Sequence, residues 1–203
     1  MATRQMAQFG MAGKQAKIIS DRELRGLLRL VRKGRYPARD KVMVLLSVKA
    51  GLRACEIAGL TWSMACDARR SVGAVLEVRD AIAKKRRGRT VPINVELRAA
   101  LLALCKQMRP TPDEPIIRSE RGRHMRPAAI VNWFSALYHR AELVGCSSHS
   151  GRRTFITKGA RLVFKVGGSL RDVQQLAGHA PIETTQRYIE GSTSAKCALV
   201  NLL

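Results

Sequence analysis

The sequence predicts a mostly α-helical α+β domain with one small antiparallel sheet. Three observations predict it. Apolar residues recur at helical spacing through most of the chain. One stretch, from Val75 to Ile93, instead reads as two short strands around a cationic turn. Hydrophobic residues make up 46% and charged residues 26% of the 203 positions, which suits a globular body large enough to bury a core.

Order is expected to begin near Ser20, and residues 1–17 read as a loose arm. Ser20 and Glu23 form an S-x-x-E capping box, and Leu24, Leu27, Leu28 and Val31 follow on one helical face. Gly34 and Pro37 should end that helix. Asp40 to Ala50 is apolar nearly all round, which predicts a buried helix broken by Gly51; Glu56 to Leu60 can form a short one. Val75, Leu76 and Val78, then Thr90, Val91 and Ile93, predict a hairpin whose tip is Lys84-Lys85-Arg86-Arg87-Gly88-Arg89. Asn94 caps a helix with Leu97, Leu101, Leu104 and Met108 on its inner face, and Pro127 opens another carrying Ile130, Phe134 and Leu137. The remainder reads as helical with a break at Gly167-Gly168; Ser169 caps the next helix, with Asp172 in its first turn, and Gly178 ends it.

Lys and Arg number 37 against 15 for Asp and Glu, a net charge of +22. A domain with that excess repels itself unless a polyanion is present. Nucleic acid is the expected polyanion, with an anionic membrane second. The membrane is the poorer reading, because the longest apolar run, Val42 to Val48 around Ser47, is far short of the ~20 residues that span a bilayer. Cys55, Cys66, Cys105, Cys146 and Cys197 are odd in number and lack C-x-x-C spacing. That argues against a disulfide framework or a zinc site and for a reducing cytoplasm.

Four motifs carry more. They are Gly51-Leu52-Arg53-Ala54-Cys55-Glu56, then His149-Ser150-Gly151-Arg152, then Gly178-His179, then Thr184-Thr185-Gln186-Arg187-Tyr188. In this order and spacing they resemble the tyrosine recombinase (phage integrase) family, over roughly Ile18 to Gly191. The resemblance implies the family's catalytic-domain fold and a site-specific recombinase that joins DNA 3′ ends to a tyrosine. It implies Arg53 and Arg152 as phosphate-binding guanidiniums, Tyr188 as nucleophile, His149 as proton acceptor, and His179 on the phosphate or supporting the base. Lys84 is the implied general acid on the hairpin, with Lys85 one register away; Lys85, Arg86, Arg87 and Arg89 read as phosphate contacts. Glu56 fits the family's buttressing acid, or a plain surface Glu. No metal and no cofactor are implied.

The sequence also departs from the family pattern. Gly151 stands where an apolar residue is usual and Arg153 where a second His is usual. The stretch from Arg152 to His179 is a few residues longer, around Val163 to Gly168. Residues 18–203 read as the catalytic domain without a separate DNA-clamping domain, so either the domain works alone or the clamp comes from a partner, an accessory DNA-binding protein or a second recombinase; self-association as a dimer or tetramer on double-stranded DNA is expected. The apolar residues from Cys197 to Leu203 should dock on a neighbouring copy or on the chain's own core. Three rivals remain: a topoisomerase-like relaxer with the same site, a non-catalytic DNA-binding protein that keeps the fold, and a basic RNA-binding protein.

Overall fold

Helix α2 (Pro37–Lys49) is the centre of the fold, and the other elements are placed around it. The structure is a computed structural model and describes residues 16–67, 69, 71–188, 197, 200 and 201. Val42, Met43, Val44, Leu45 and Leu46 are all at or near zero exposure, as a helix with apolar residues on every side requires. Around it pack α1 (Asp21–Arg32), α3 (Ala54–Gly59), α4 (Val95–Met108) and α6 (Ser150–Leu162). α5 (Pro127–Arg140) lies on α3. α7 (Leu170–Ala177) and α8 (Ile182–Gln186) close the chain beside α6, over a smaller core of Ile156, Val163, Val173 and Ala177. β1 (Val75–Val78) and β2 (Arg89–Pro92) form one antiparallel pair, with Leu76 opposite Val91. The expected α+β class is what the structure shows.

Local chemistry explains most boundaries. Ser20 Oγ accepts from the Glu23 N–H at 3.2 Å while Glu23 Oε2 accepts from the Ser20 N–H at 2.7 Å. Asn94 caps α4 by accepting from the Glu96 N–H. The Ser169 N–H donates to Asp172 at 2.7 Å. Pro37, expected to stop the first helix, instead occupies the first turn of α2, where its missing N–H costs nothing. Ile93 lies past β2, but its N–H still donates to Ala74 O at 2.8 Å. The extra length before His179 forms a 3₁₀ turn, Val163–Val166, ended by Gly167 at φ +74°.

One expectation about the N-terminal arm changes. Ala16 and Lys17, assigned to the arm, are tied to the body: Ala16 O accepts from Arg153, and Lys17 pairs with Glu23 and donates its N–H to Gly145 O. Residues 1–15 lie outside the described residues, as does most of the apolar stretch from 197 to 203; Val200 is exposed. All five cysteines are unpaired. Among the described residues no helix is long and apolar enough to cross a membrane, and no cluster of His, Cys, Asp and Glu could hold a metal.

Candidate active site

Gly51 starts the site. It ends α2 at φ +64°, a conformation costly for other residues, and a Cβ there would run into the Phe155 ring. The turn points Arg53 inward at the start of α3. Glu56, in the first turn of that helix and fully buried, reaches back to hold it. Arg53 donates to Glu56 through its backbone N–H and through Nη1, each at 2.9 Å. Arg89 donates to the same carboxylate from Nη1 at 2.9 Å and Nη2 at 3.0 Å. Burial alone would raise the Glu56 carboxyl, but the hydrogen bonds and charges of Arg89 and Arg53 outweigh it and hold it at about 2. Glu56 is therefore a buttressing acid, and the surface alternative is excluded.

Arg152 stands in the first turn of α6 with 4% exposure. Its Nη1 donates to Gly51 O at 2.6 Å and its Nη2 to Ala177 O at 2.5 Å. Arg89 Nε donates to Leu176 O at 2.8 Å, so two guanidiniums cap the negative end of α7. Burial, and next Arg53, push the Arg152 guanidinium down to about 9, which leaves it charged at neutral pH. Gly151 is needed beside it, because a Cβ there would collide with Ser47 on α2. The glycine that breaks the usual apolar pattern is thus where α6 and α2 touch.

Gly178, at φ +61°, ends α7 and swings His179 under Tyr188. The two rings stack with centroids 5.8 Å apart and planes 23° from parallel. His179 Nδ1 lies 3.0 Å from the buried Thr185 Oγ1, which leaves Nε2 as the ring's free nitrogen. Burial first, then Arg152, Arg53 and Arg89, push His179 down to about 4. His149, at the N-cap of α6, is lowered by burial and by Lys84, Arg152 and Arg53. Both imidazoles are therefore neutral at pH 7.

Arg53, His149, Arg152, His179 and Tyr188 line one open cavity of about 350 Å³. Arg153, Thr184 and Arg187 line it too, and the sequence reading assigned none of them to the site. Lys84, Lys85, Arg86 and Arg87 are exposed on the connection between β1 and β2, which the Gly88 N–H closes onto Asp80 at 2.6 Å. Lys85 and Arg86 adopt positive φ. Lys84 is outside the cavity wall but close enough to act on the charge of His149. Arg89 requires a correction. It was expected to be a phosphate contact on the tip, but its side chain is 5% exposed and is spent on Glu56 and Leu176. A buried carboxylate needed a full bidentate partner, and Arg89 supplies it.

Arg53, Arg89 and Arg152 with Glu56 leave two net positive charges behind a cavity whose other walls carry neutral imidazoles, a phenol and two further guanidiniums, Arg153 and Arg187. That set suits one phosphodiester whose charge grows during attack.

Comparison with known proteins bears on the family and the fold. The pattern of the Phage integrase family matches residues 17–194. The tyrosine recombinase XerC of Shewanella sp. (strain W3-18-1) is 31% identical over 153 residues, covering 74% of this chain and 47% of that protein. XerC of Xylella fastidiosa (strain 9a5c) is 29% identical over 150 residues, covering 74% and 48%. The chain thus spans about half the length of the curated relatives it matches. Among solved structures, XerA recombinase aligns with a TM-score of 0.68 at 25% identity, covering 91% of this chain and 64% of that one. The Tn1549 transposon integrase in complex with a circular intermediate DNA aligns at 0.75 and 17% identity, covering 95% and 67%. With 178 of its residues inside the matched span, the chain belongs to the phage integrase family.

Proposed function

We propose that this chain cleaves and rejoins double-stranded DNA as a tyrosine-type site-specific recombinase. The observation that carries the proposal is the convergence of Arg53, Arg152, His149, His179 and Tyr188 on one cationic cavity. Tyr188 Oη attacks the scissile phosphorus while its proton passes to His149. The bond from phosphorus to the 5′ oxygen breaks, and Lys84 donates a proton to that leaving group. The products are a 3′-phosphotyrosine and a free 5′-OH. Attack by another 5′-OH reverses the step and joins new strands. Arg53 and Arg152 hold the non-bridging oxygens, joined by His179 through its free nitrogen. Each preorganised donor of this kind is worth about 3–4 kcal/mol of barrier. The scheme calls on no metal and no nucleotide. We further propose that the chain works in the cytoplasm and acts on DNA as two or four copies.

A nicked duplex that releases the short fragment bearing the new 5′-OH traps the intermediate. Wild type should form a covalent protein–DNA band, and Tyr188→Phe should not. An adduct from Tyr188→Phe would overturn the assignment of the nucleophile. Relaxation of supercoiled DNA without exchange between paired sites would favour a relaxing enzyme instead.

A further inference from the structure

The cavity accounts for only part of the cationic excess. On α1, Arg22, Arg25, Arg29 and Arg32 recur at i, i+3, i+7 and i+10. At helical pitch they fall in an arc of about 80°, opposite the buried Leu24, Leu27 and Val31. All four are exposed, and none is ion-paired among the described residues. The acids of the same helix are engaged elsewhere, Asp21 with Lys158 and Glu23 with Lys17. Like charges three and four residues apart destabilise a helix, by a few tenths of a kcal/mol a pair. The stripe is therefore unfavourable until an anion lies along it. Beside it, between α1 and the start of α2, runs a groove of about 360 Å³ whose charged walls are Arg29, Arg32, Lys41 and Glu96. It shares no residue with the cavity of Tyr188.

We propose that the outer face of α1 and this groove form a second DNA-backbone site, which grips the part of the same duplex that flanks the cleaved phosphate. Continuity with the cavity argues for the same duplex. Ala16 lines the cavity wall, and the Ile19 N–H donates to Thr154 Oγ1 at 2.8 Å, two residues from Arg152. Arg22 follows three residues after Ile19, in the first turn of α1, and Arg32 lies about 15 Å farther along the helix. That reach matches about four base-pair steps of one strand. Cations along a backbone position the protein without reading bases, so the grip is independent of flank sequence. The inference extends the proposed recombinase reading, and it stands on the charge geometry of α1 rather than on Tyr188.

The test uses the full chain with Arg22, Arg25, Arg29 and Arg32 all changed to Gln, and a second variant with all four changed to Lys. Affinity is measured against salt on a short duplex confined to the cleavage site and on duplexes extended to either side. On an extended duplex the Gln variant should lose about 3.6 units of salt slope, at roughly 0.9 per phosphate contact, so that wild type gains about 100-fold over it between 200 and 50 mM salt. On the short duplex the Gln variant should match wild type in affinity and in covalent adduct. The Lys variant should keep the wild-type slope. Equal slopes for wild type and the Gln variant on every extended duplex would overturn the proposal. So would an equal loss on the short duplex, saturation at two short duplexes per protein, or a Lys variant that behaves like the Gln one. Failure of the catalytic reading appears separately, as no adduct from wild type on any duplex.

Discussion

Replacing Glu56 by Gln keeps the side chain's shape but removes the charge that Arg53 and Arg89 share. Four donors at 2.9–3.0 Å converge on this carboxylate, and it has no exposed surface. Its depression from 4.5 to about 2 corresponds to about 3 kcal/mol of folding free energy at neutral pH. Breaking a buried pair by removing one partner costs about the same, 3–5 kcal/mol. The sign follows from the lower folded-state value. The stabilisation is complete above 4.5 and declines as pH falls from 4.5 towards 2. By linkage, at about pH 3 it should have shrunk to about 1.5 kcal/mol. Urea unfolding of wild type and Glu56→Gln at neutral pH and near pH 3 measures both values. At neutral pH the melting temperature should drop by roughly 6–12 °C for a chain of this length. A difference below about 1 kcal/mol at neutral pH, or one that does not narrow on acidification, would refute the view that Glu56 holds the two guanidiniums by charge.

Gly151→Ala should cost about 1–3 kcal/mol by overpacking and slow cleavage, because the new Cβ meets Ser47 and displaces the turn that carries Arg152. Adding Ser47→Gly should recover both in melting and cleavage assays, whereas recovery of neither would mean that another contact is at fault. Lys84→Ala should slow single-turnover cleavage by about 10²-fold or more with little change in DNA affinity, and Lys85→Ala should do so far less; the reverse order would move the general acid one residue. His149 sits below its usual value, from burial and the cations around it, so cleavage under subsaturating DNA should hold as pH falls to 6.5 and fail only below it. A bound phosphate favours the protonated ring, so at saturating DNA the acid limb should lie at higher pH; coincident limbs would contradict this role.

Much of the architecture was legible because its causes are local. The capping residues Ser20, Asn94 and Ser169 lie within three residues of the groups they satisfy. The faces of α1 and α4 follow from apolar spacing alone. The site residues were legible as an ordered set of motifs, with Tyr188 nine residues after His179, and the fold brings them to one cavity. What was hidden depends on contacts across the chain. Arg89 looked like one more cation of the tip, and only the fold shows Glu56, 33 residues away, drawing it inward. A Glu in the first turn after Gly51-Leu52-Arg53 was the one available signal that a buried acid would need such a partner. Gly151 looked like a lost anchor because Ser47, on a distant helix, sets the space. Thr185 was noted for its position, but its bond to His179 Nδ1 needs the turn at Gly178.

The central claim is that Tyr188 becomes covalently joined to a DNA 3′ end. The direct measurement is mass spectrometry of the trapped complex after protease and nuclease digestion. The account predicts a peptide containing Tyr188 that carries a nucleotide through its 3′ phosphate, with a free 5′-OH on the other DNA fragment. A nucleotide on Tyr36 or Tyr138, a 5′ linkage, or cleaved DNA with no linked peptide would contradict it.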